Sequence, residues 1–396
     1  MCALTLLALG LAPAASSADA QSKQWYLDAM SAEKLWKVST GKGVKVAVVD
    51  SGVRVTPSLK GRVLPGKDVT GKAGGAEDDY EGHGTTMAEL IAGSGRAGGL
   101  KGLAPDAEII PVRTTTGEEL GKELGDTPAA IRAAADSDAR IINMSFGSDF
   151  MSQAERAAVK YAFSKGKLLF AGVGNDAQTK NFVGYPAAYP EVVGVSAADR
   201  SGKVAKFSEF GEYVDLAAPG LDIPRWCDET FRSYCDEGGG GTSAATAIAS
   251  ASAALVWSKH PDWTANQVLR VLIDTAGRDW PKDEPSDYLG YGLIRPARNV
   301  VKGEGNPGPA DVDPITNKKT AGAGSDDGGS KYDASTPAAP SQPAKEAASD
   351  GKGTSAAEES LDEGSSNWLW PTLGGLALLV VIGGGAFAAK RARRRA

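Results

Sequence analysis

Short apolar runs alternate with helical patterns over the first half of the chain. Val44 to Val49 (VKVAVV) is nearly continuous in apolar residues and ends in Asp50, Ser51 and Gly52. A run of that length reads as a strand buried on both faces, which requires a parallel sheet covered by helices. A helix predicted from about His83 to Ala92 leads to a strand at Glu108 to Val112. Asp126 or Thr127 with Pro128 starts a helix reaching Ala135, since Asp and Thr cap helices and proline is tolerated in the first turn. A strand follows at Arg140 to Met144, and an amphipathic helix at Gln153 to Phe163 interleaves Ala157, Val159, Tyr161 and Phe163 with Glu155, Arg156 and Lys160. Strands at Leu168 to Ala171 and Val192 to Ser196 complete the series. The alternation predicts an α/β domain: a doubly wound, mostly parallel sheet with helices on both faces. In such sheets active groups collect beyond the carboxyl ends of strands. Upstream, Trp25, Tyr26, Leu27, Met30, Leu35 and Trp36 are spaced as an amphipathic segment packed on the domain.

The two ends follow other patterns and narrow the domain count that 396 residues allow. Residues 3 to 15 are apolar and lead to Ser17, Ala18, Asp19 and Ala20, which fits an export signal over 1–20 cleaved after Ala20, although no basic n-region precedes it. Trp368 to Ala389 carries no charge, and about 22 residues suffice to cross a bilayer. Lys390, Arg391, Arg393, Arg394 and Arg395 follow at once, the flank expected on the cytoplasmic side. The sequence therefore predicts one folded domain over 21–302 outside the cell, a transmembrane helix at 367–389 and a basic tail at 390–396. No LPxTG sequence precedes the span, so covalent attachment to a cell wall is not expected. Residues 303–366 are Gly, Ala, Ser, Pro and Asp/Glu with almost no large apolar side chain, a composition that cannot repay its ordering entropy. They read as a flexible tether. Its acidic excess accounts for much of the net charge of −6, which therefore says little about the partners of the folded domain.

Cysteine usage agrees with export. Cys2 falls in the signal, leaving Cys227 and Cys235 as a pair in one short loop, read as a disulfide; a metal site would need further ligands nearby, and none are evident.

One stretch carries candidate chemistry. Gly238 to Leu255 (GGGGTSAATAIASASAAL) empties a glycine run into a small-residue helix with Ser243 at the junction, where helix N–H groups favour negative charge. Taken alone, the stretch is equally a glycine loop with Thr242 or Ser243 as N-cap. Two further residues change its weight: Asp50 at a strand end, and His83 in GHGT. A serine nucleophile needs an imidazole base, and that base needs an acid to fix its tautomer. The chain has two histidines, and His260, in the polar SKHPDW segment, reads as a surface or capping residue.

Together these motifs resemble those of the subtilisin-like serine proteases, and within them the mycosin branch associated with type VII secretion. The likeness runs from about Trp25 to Val300 and rests on VAVVDSG around Asp50, EGHGTTMAELIAG around His83, GLAPDAEIIPVR, NMSFG at Asn143 to Gly147, AGVGN at Ala171 to Asn175, and GTSAAT at Ser243. The resemblance implies Asp50, His83 and Ser243 as the triad, with Asn175 and the Ser243 N–H as oxyanion donors. It implies that Ser145, Phe146 and Gly147 pair with extended substrate, and that Gly172, Val173 and Gly174 form a pocket wall for the residue before the cut. Phe146 and Val173 suggest an apolar lining. No cofactor or nucleic-acid partner is implied, and no Asp/Asn cluster has spacing specific enough to assign calcium. The expected partners are a protein or peptide substrate, the membrane, and type VII secretion machinery. The sequence departs from the pattern at Ser51, where Thr is usual, at Ala244, where a larger residue such as Met stands, and at Ala247, where proline usually follows. Packing around the nucleophile is therefore expected to differ, and activity to be slow or restricted. Only about 20 residues precede Gly41 after the signal, too few for an independently folded inhibitory propeptide; the N-terminal segment is expected to wrap the domain instead.

Overall fold

The computed structural model describes residues 17–114, 125–235 and 238–320. Residues 1–16 of the expected signal, 321–366 of the expected tether, the 367–389 span and the 390–396 tail lie outside them. No helix among the described residues is long and apolar enough to cross a membrane.

In chain order, α1 (Ser17–Ser22), α2 (Trp25–Ala29) and α3 (Ala32–Trp36) precede β1 (Lys45–Asp50) and the short β2 (Lys67–Asp68). Then come α4 (His83–Ala92), β3 (Glu108–Arg113), α5 (Thr127–Asp136), β4 (Ile141–Met144), α6 (Gln153–Ser164), β5 (Leu168–Gly172), β6 (Val193–Ala198) and β7 (Leu216–Pro219). A hairpin of β8 (Arg225–Trp226) and β9 (Tyr234–Cys235) leads to α7 (Thr242–Lys259), α8 (Ala265–Asp274) and α9 (Pro296–Val300).

Seven strands form one sheet in the order β2-β3-β1-β4-β5-β6-β7, every pair parallel. The alternating apolar runs predicted this architecture. Along β1, Ala47 and Val49 join one core with Ile131 and Ala134 of α5, Val159 of α6 and Leu169 of β5. Val46 and Val48 point to the other face, as a period of two demands, where α4 and α7 cover the sheet. Helix α7 is buried along nearly its whole length, and its Ala and Ser residues let it lie close against β4, β5, β6 and β7. Asp126 caps α5 by accepting from the Ala129 N–H at 2.9 Å, with Pro128 in the first turn as expected.

The N-terminal segment does wrap the domain. Tyr26 and Leu35 are fully buried, Trp25 donates its indole N–H to the Leu221 carbonyl (3.1 Å), and Trp36 donates to that of Leu103 (2.9 Å). Gln21, just past the expected cleavage point, donates to the Gly99 carbonyl at 2.8 Å.

One boundary differs. The first part of the expected tether, residues 303–320, packs on α8: the Ala310 carbonyl accepts from Thr264 Oγ1 and Asn266 Nδ2, and that of Val312 from Arg270. Asp313 is buried and closes a turn by accepting from the Ile315 and Thr316 N–H groups. The segment has only Val312 and Ile315 as large apolar side chains but finds backbone partners, so the packed region continues to 320.

Candidate active site

β1 lies between β3 and β4, where the strand order reverses, and a cleft opens beyond the carboxyl ends of strands at such a point. Asp50 is the last residue of β1, Ser145 follows β4, and Gly172 ends β5. Three of the sequence's candidate segments thus reach one rim because each continues a strand.

Asp50 is buried, and its Oδ1 lies 2.7 Å from His83 Nδ1. The carboxylate can only accept, so Nδ1 carries the proton and the neutral ring keeps Nε2 as a base. Oδ1 also accepts from the Ser51 N–H at 2.8 Å. Burial opposes charge on the ring, but the charge and hydrogen bond of Asp50, with Glu81 and Asp79, outweigh it and raise the His83 pKa to about 9.

His83 opens α4, and the turn before it is organised by Asp79, fully buried. Asp79 Oδ1 accepts from the Ser51 hydroxyl (2.9 Å) and from the Glu81 and Gly82 N–H groups (3.0 and 2.9 Å); Oδ2 accepts from the Thr85 N–H and hydroxyl (2.9 and 2.6 Å). Ser51 in turn accepts from the Gly84 N–H at 2.9 Å. One carboxylate therefore ties the strand end bearing Asp50 to the helix start bearing His83.

Ser243 sits in the first turn of α7 and is partly exposed. Its hydroxyl donates to the Ser145 carbonyl at 3.0 Å, while Ser145 Oγ donates to the Ser243 carbonyl at 3.1 Å. Behind this reciprocal pair, Asn143 Nδ2 donates to Ser145 Oγ (2.9 Å) and Ser250 Oγ donates to Asn143 Oδ1 (3.0 Å), all buried. The serines that the small-residue helix carries on this side are thus connectors to β4. Ala244 and Ala247 are fully buried and the helix is unbroken through them, so hydrogen bonds to β4 replace bulk as the means of fixing Ser243. Ala244 instead borders a cavity of about 220 Å³ that also touches His83, Leu90, Ile223 and Trp226.

Asn175 Oδ1 accepts from the Thr242 N–H at 2.9 Å. That N–H can only donate, which fixes the amide's orientation and leaves Nδ2 free to donate elsewhere. Gly241, at φ +113°, lets the chain pass beside this amide in a conformation that a side chain would strain. His83, Ser145, Phe146, Gly147, Gly172, Val173, Gly174, Asn175 and Ser243 all line one cavity of about 510 Å³. Asp50 stands behind His83 and does not line it.

Phe146 and Val173 line the cavity as expected, joined by Phe150 and Phe182, but the lining is not apolar alone. Asp149, Asp176 and Glu209 also line the cavity, and no lysine or arginine among the described residues does. Glu209 arrives from the segment between β6 and β7 and folds against Gly174, whose missing Cβ makes room for its carboxylate.

Cys227 and Cys235 are bonded and close the β8–β9 hairpin. The hairpin braces α4: the Trp226 N–H donates to Thr86 Oγ1 (3.1 Å) and the Tyr234 hydroxyl to Glu89 (2.7 Å), a buried acid whose pKa burial raises to about 7. His260 caps α7 and stacks on Trp263, the capping position predicted for it.

The signature of the Subtilase family, peptidase S8, matches residues 41–292. The chain belongs to the subtilase family. This subtilase is 34% identical over 283 residues to the minor extracellular protease Epr of Bacillus subtilis, covering 69% of this chain and 41% of that protein. It is 36% identical over 232 residues to a thermophilic serine proteinase of Bacillus sp. strain AK1, covering 57% of this chain and 55% of that protein. The chain thus spans about half the length of these two relatives. Against subtilisin BL of Lederbergia lenta it is 33% identical over 242 residues, 60% of this chain and 84% of that protein. Among solved structures it is similar to MycP1 from Mycobacterium smegmatis, with a TM-score of 0.62, 26% identity and coverage of 76% and 89% of the two chains. It is also similar to the MycP3 protease from the type VII (ESX-3) secretion system, with a TM-score of 0.59, 28% identity and coverage of 73% and 90%. Both the subtilase family and the mycosin-like branch expected from the sequence are therefore found.

Sequence reasoning missed Asp79, Asn143 as a bridge, Ser250 and Glu209 in this subtilase. The acidic EDDYEG run before GHGT carried a signal for Asp79, since a helix start with orphan N–H groups calls for a nearby carboxylate. Nothing local to Glu209 pointed to Gly174.

Proposed function

We propose that the chain is a serine endopeptidase tethered at the outer face of a cell membrane, acting on exported or secretion-system proteins. The observation that carries this reading is the 2.7 Å Asp50–His83 pair opening onto the same cavity as Ser243 and Asn175. In this reading the Ser243 hydroxyl rotates from the Ser145 carbonyl to His83 Nε2, which takes its proton as Ser243 attacks a peptide carbonyl. Asn175 Nδ2 and the Ser243 N–H stabilise the oxyanion, His83 returns the proton to the leaving amine, and water hydrolyses the acyl-enzyme. Gly172 to Gly174 on one side and Ser145 to Gly147 on the other flank the substrate backbone, which binds as an added strand. The 367–389 segment would hold the domain beside proteins leaving the cell, and similarity to MycP1 and MycP3 supports a secretion-system setting by analogy.

The test is labelling by a fluorophosphonate with peptide mapping. The expected result is modification of Ser243 and loss of both labelling and proteolysis in Ser243→Ala. Absence of labelling in folded protein overturns the assignment. A second reading, a catalytically weak structural partner of a secretion complex, is favoured by the resting Ser243 hydroxyl bond to Ser145 rather than to His83. Rescue of secretion by Ser243→Ala in a deletion strain would support that reading over the first.

A further inference from the structure

Glu209 is 3% exposed and, among the described residues, is the one carboxylate buried in the wall of this cavity. It lies against Gly174, where a Cβ would overlap its Oε2, and the same oxygen is 3.5 Å from where a Cβ on Gly184 would stand. Both glycines line the cavity, so the carboxylate sits in its wall on the Gly174 side. The Phe182 N–H reaches Oε1 at 3.5 Å and the Asp176 backbone also hydrogen-bonds the carboxylate, but no lysine or arginine among the described residues pairs with the acid. Burying a carboxylate without a countercharge is costly, and the two backbone hydrogen bonds recover only part of that cost. The exposed Asp149 and Asp176 add negative potential to the same cavity. Phe146 and Phe182 supply apolar surface suited to an alkyl stem.

We infer that Glu209 makes this cavity a receptor for a cationic side chain, so that the enzyme cuts after lysine or arginine. A bound guanidinium or ammonium would supply the missing countercharge next to Gly174, one residue from Asn175. The inference rests on the peptidase reading above and adds the substrate class to it.

Burial raises the Glu209 pKa to about 7, with the neighbouring Asp176 and Asp149 charges adding to the rise. The Tyr213 hydroxyl also faces it, and Lys180 lies on the Phe182 ring at 4.5 Å without lining the cavity. Affinity for a cation therefore grows as pH rises through neutrality. His83 titrates for every substrate alike, so the ratio of two substrates isolates Glu209.

The experiment compares kcat/KM for fluorogenic peptides that differ only in arginine, lysine, leucine or phenylalanine before the cut. The expected result is a preference for arginine and lysine of at least about tenfold, with the arginine-to-leucine ratio rising between pH 6 and 8 and falling about tenfold or more in Glu209→Gln. A ratio at or below one, or a ratio unmoved by both pH and Glu209→Gln, overturns the inference. Calorimetry of benzamidine with Ser243→Ala protein needs no catalysis: binding lost in the Ser243→Ala, Glu209→Gln double variant supports the cationic receptor, and no binding overturns it. Benzamidine binding without Ser243 labelling would defeat the peptidase reading alone, and labelling with cleavage after neutral residues only would defeat the Glu209 inference alone.

Discussion

Asp79→Asn should both destabilise the fold and move the pH dependence of catalysis, although Asp79 touches no substrate-facing atom. Asp79 accepts five hydrogen bonds, three of them from backbone N–H groups that cannot turn away. An asparagine retains one carbonyl oxygen. If that oxygen serves Ser51, Glu81 and Gly82, the amide NH₂ faces the Thr85 N–H, and a buried donor left unpaired costs about 1–3 kcal/mol. The three retained bonds lose charge assistance, roughly half their strength. Asparagine is cheaper to bury than a carboxylate, which offsets part of this, and a net loss of about 3 kcal/mol is expected. The electrostatic consequence has a definite sign. Asp79 is one of the charges that raise the His83 pKa, so removing it moves the ascending limb of kcat/KM to lower pH, by less than the removal of Asp50 would. Loosening of the turn that seats His83 should also lower the plateau by about tenfold, since displacements near 1 Å are costly to catalysis. Urea unfolding and pH–rate profiles measure the two effects. Unchanged stability together with an unmoved or alkaline-shifted limb would refute the argument.

Asn175→Ala should lower kcat by about 10²–10³ with little change in KM, because in the proposed mechanism its amide meets charge that exists only in the transition state; steady-state kinetics on one peptide decides it. Replacing Cys227 and Cys235 by serine should cost up to about 2.5 kcal/mol, the chain-entropy value for so short a loop, and should loosen the hairpin braced on α4; thermal unfolding and proteolysis after Trp226 report each. Ala244→Met should be tolerated or stabilising by about 1 kcal/mol, since its side chain enters an existing cavity lined by Leu90, Ile223 and Trp226, and a clear fall in the urea midpoint would contradict this. The raised His83 pKa means that the folded state holds that proton more tightly than the unfolded chain. Its contribution, at most about 3 kcal/mol, is complete below pH 6.5 and is lost as pH rises through about 9; Asp50→Asn should flatten that decline in urea unfolding at pH 6.5 and 9.5.

What was legible in the sequence is what local pattern encodes. The β1 run, the α4 start at His83 and the Pro128 helix lie within a residue or two of their expected positions, because a strand buried on both faces and an amphipathic helix leave periodic marks. The β7 strand did not stand out, since LAAP has no long apolar run and borrows its burial from β6. Helix α8 carried a readable sign, the capping box of Thr264 and Gln267. The packing of residues 303–320 was illegible for a different reason: composition measures apolar burial, while this segment is held by its carbonyls. The proposed triad emerged only from the co-occurrence of separate motifs, and its supports less still. Asn143 bridges Ser145 and Ser250, residues 105 apart by number, through atoms that neither motif explains alone.

The charges around the cavity act in one direction. His83 must lose its proton to serve as a base, and the carboxylates that orient and support it, Asp50 foremost, hold that proton until about pH 9. Glu209, kept neutral by burial in acidic solution, becomes a carboxylate near pH 7. In the proposed mechanism the base and the proposed cation receptor are therefore both switched toward function by rising pH, while the proton linkage of His83, Glu89 and Glu209 draws stability the opposite way: each binds its proton more tightly folded than unfolded. Burial of Glu89 and Glu209, and the charge of Asp50 acting on His83 against burial, thus loosen the domain at the alkaline pH where these groups shed their protons. The disulfide hairpin, Asp79 and the Ser250–Asn143–Ser145 chain all converge on His83 and Ser243, the two groups whose relative position must survive that loss.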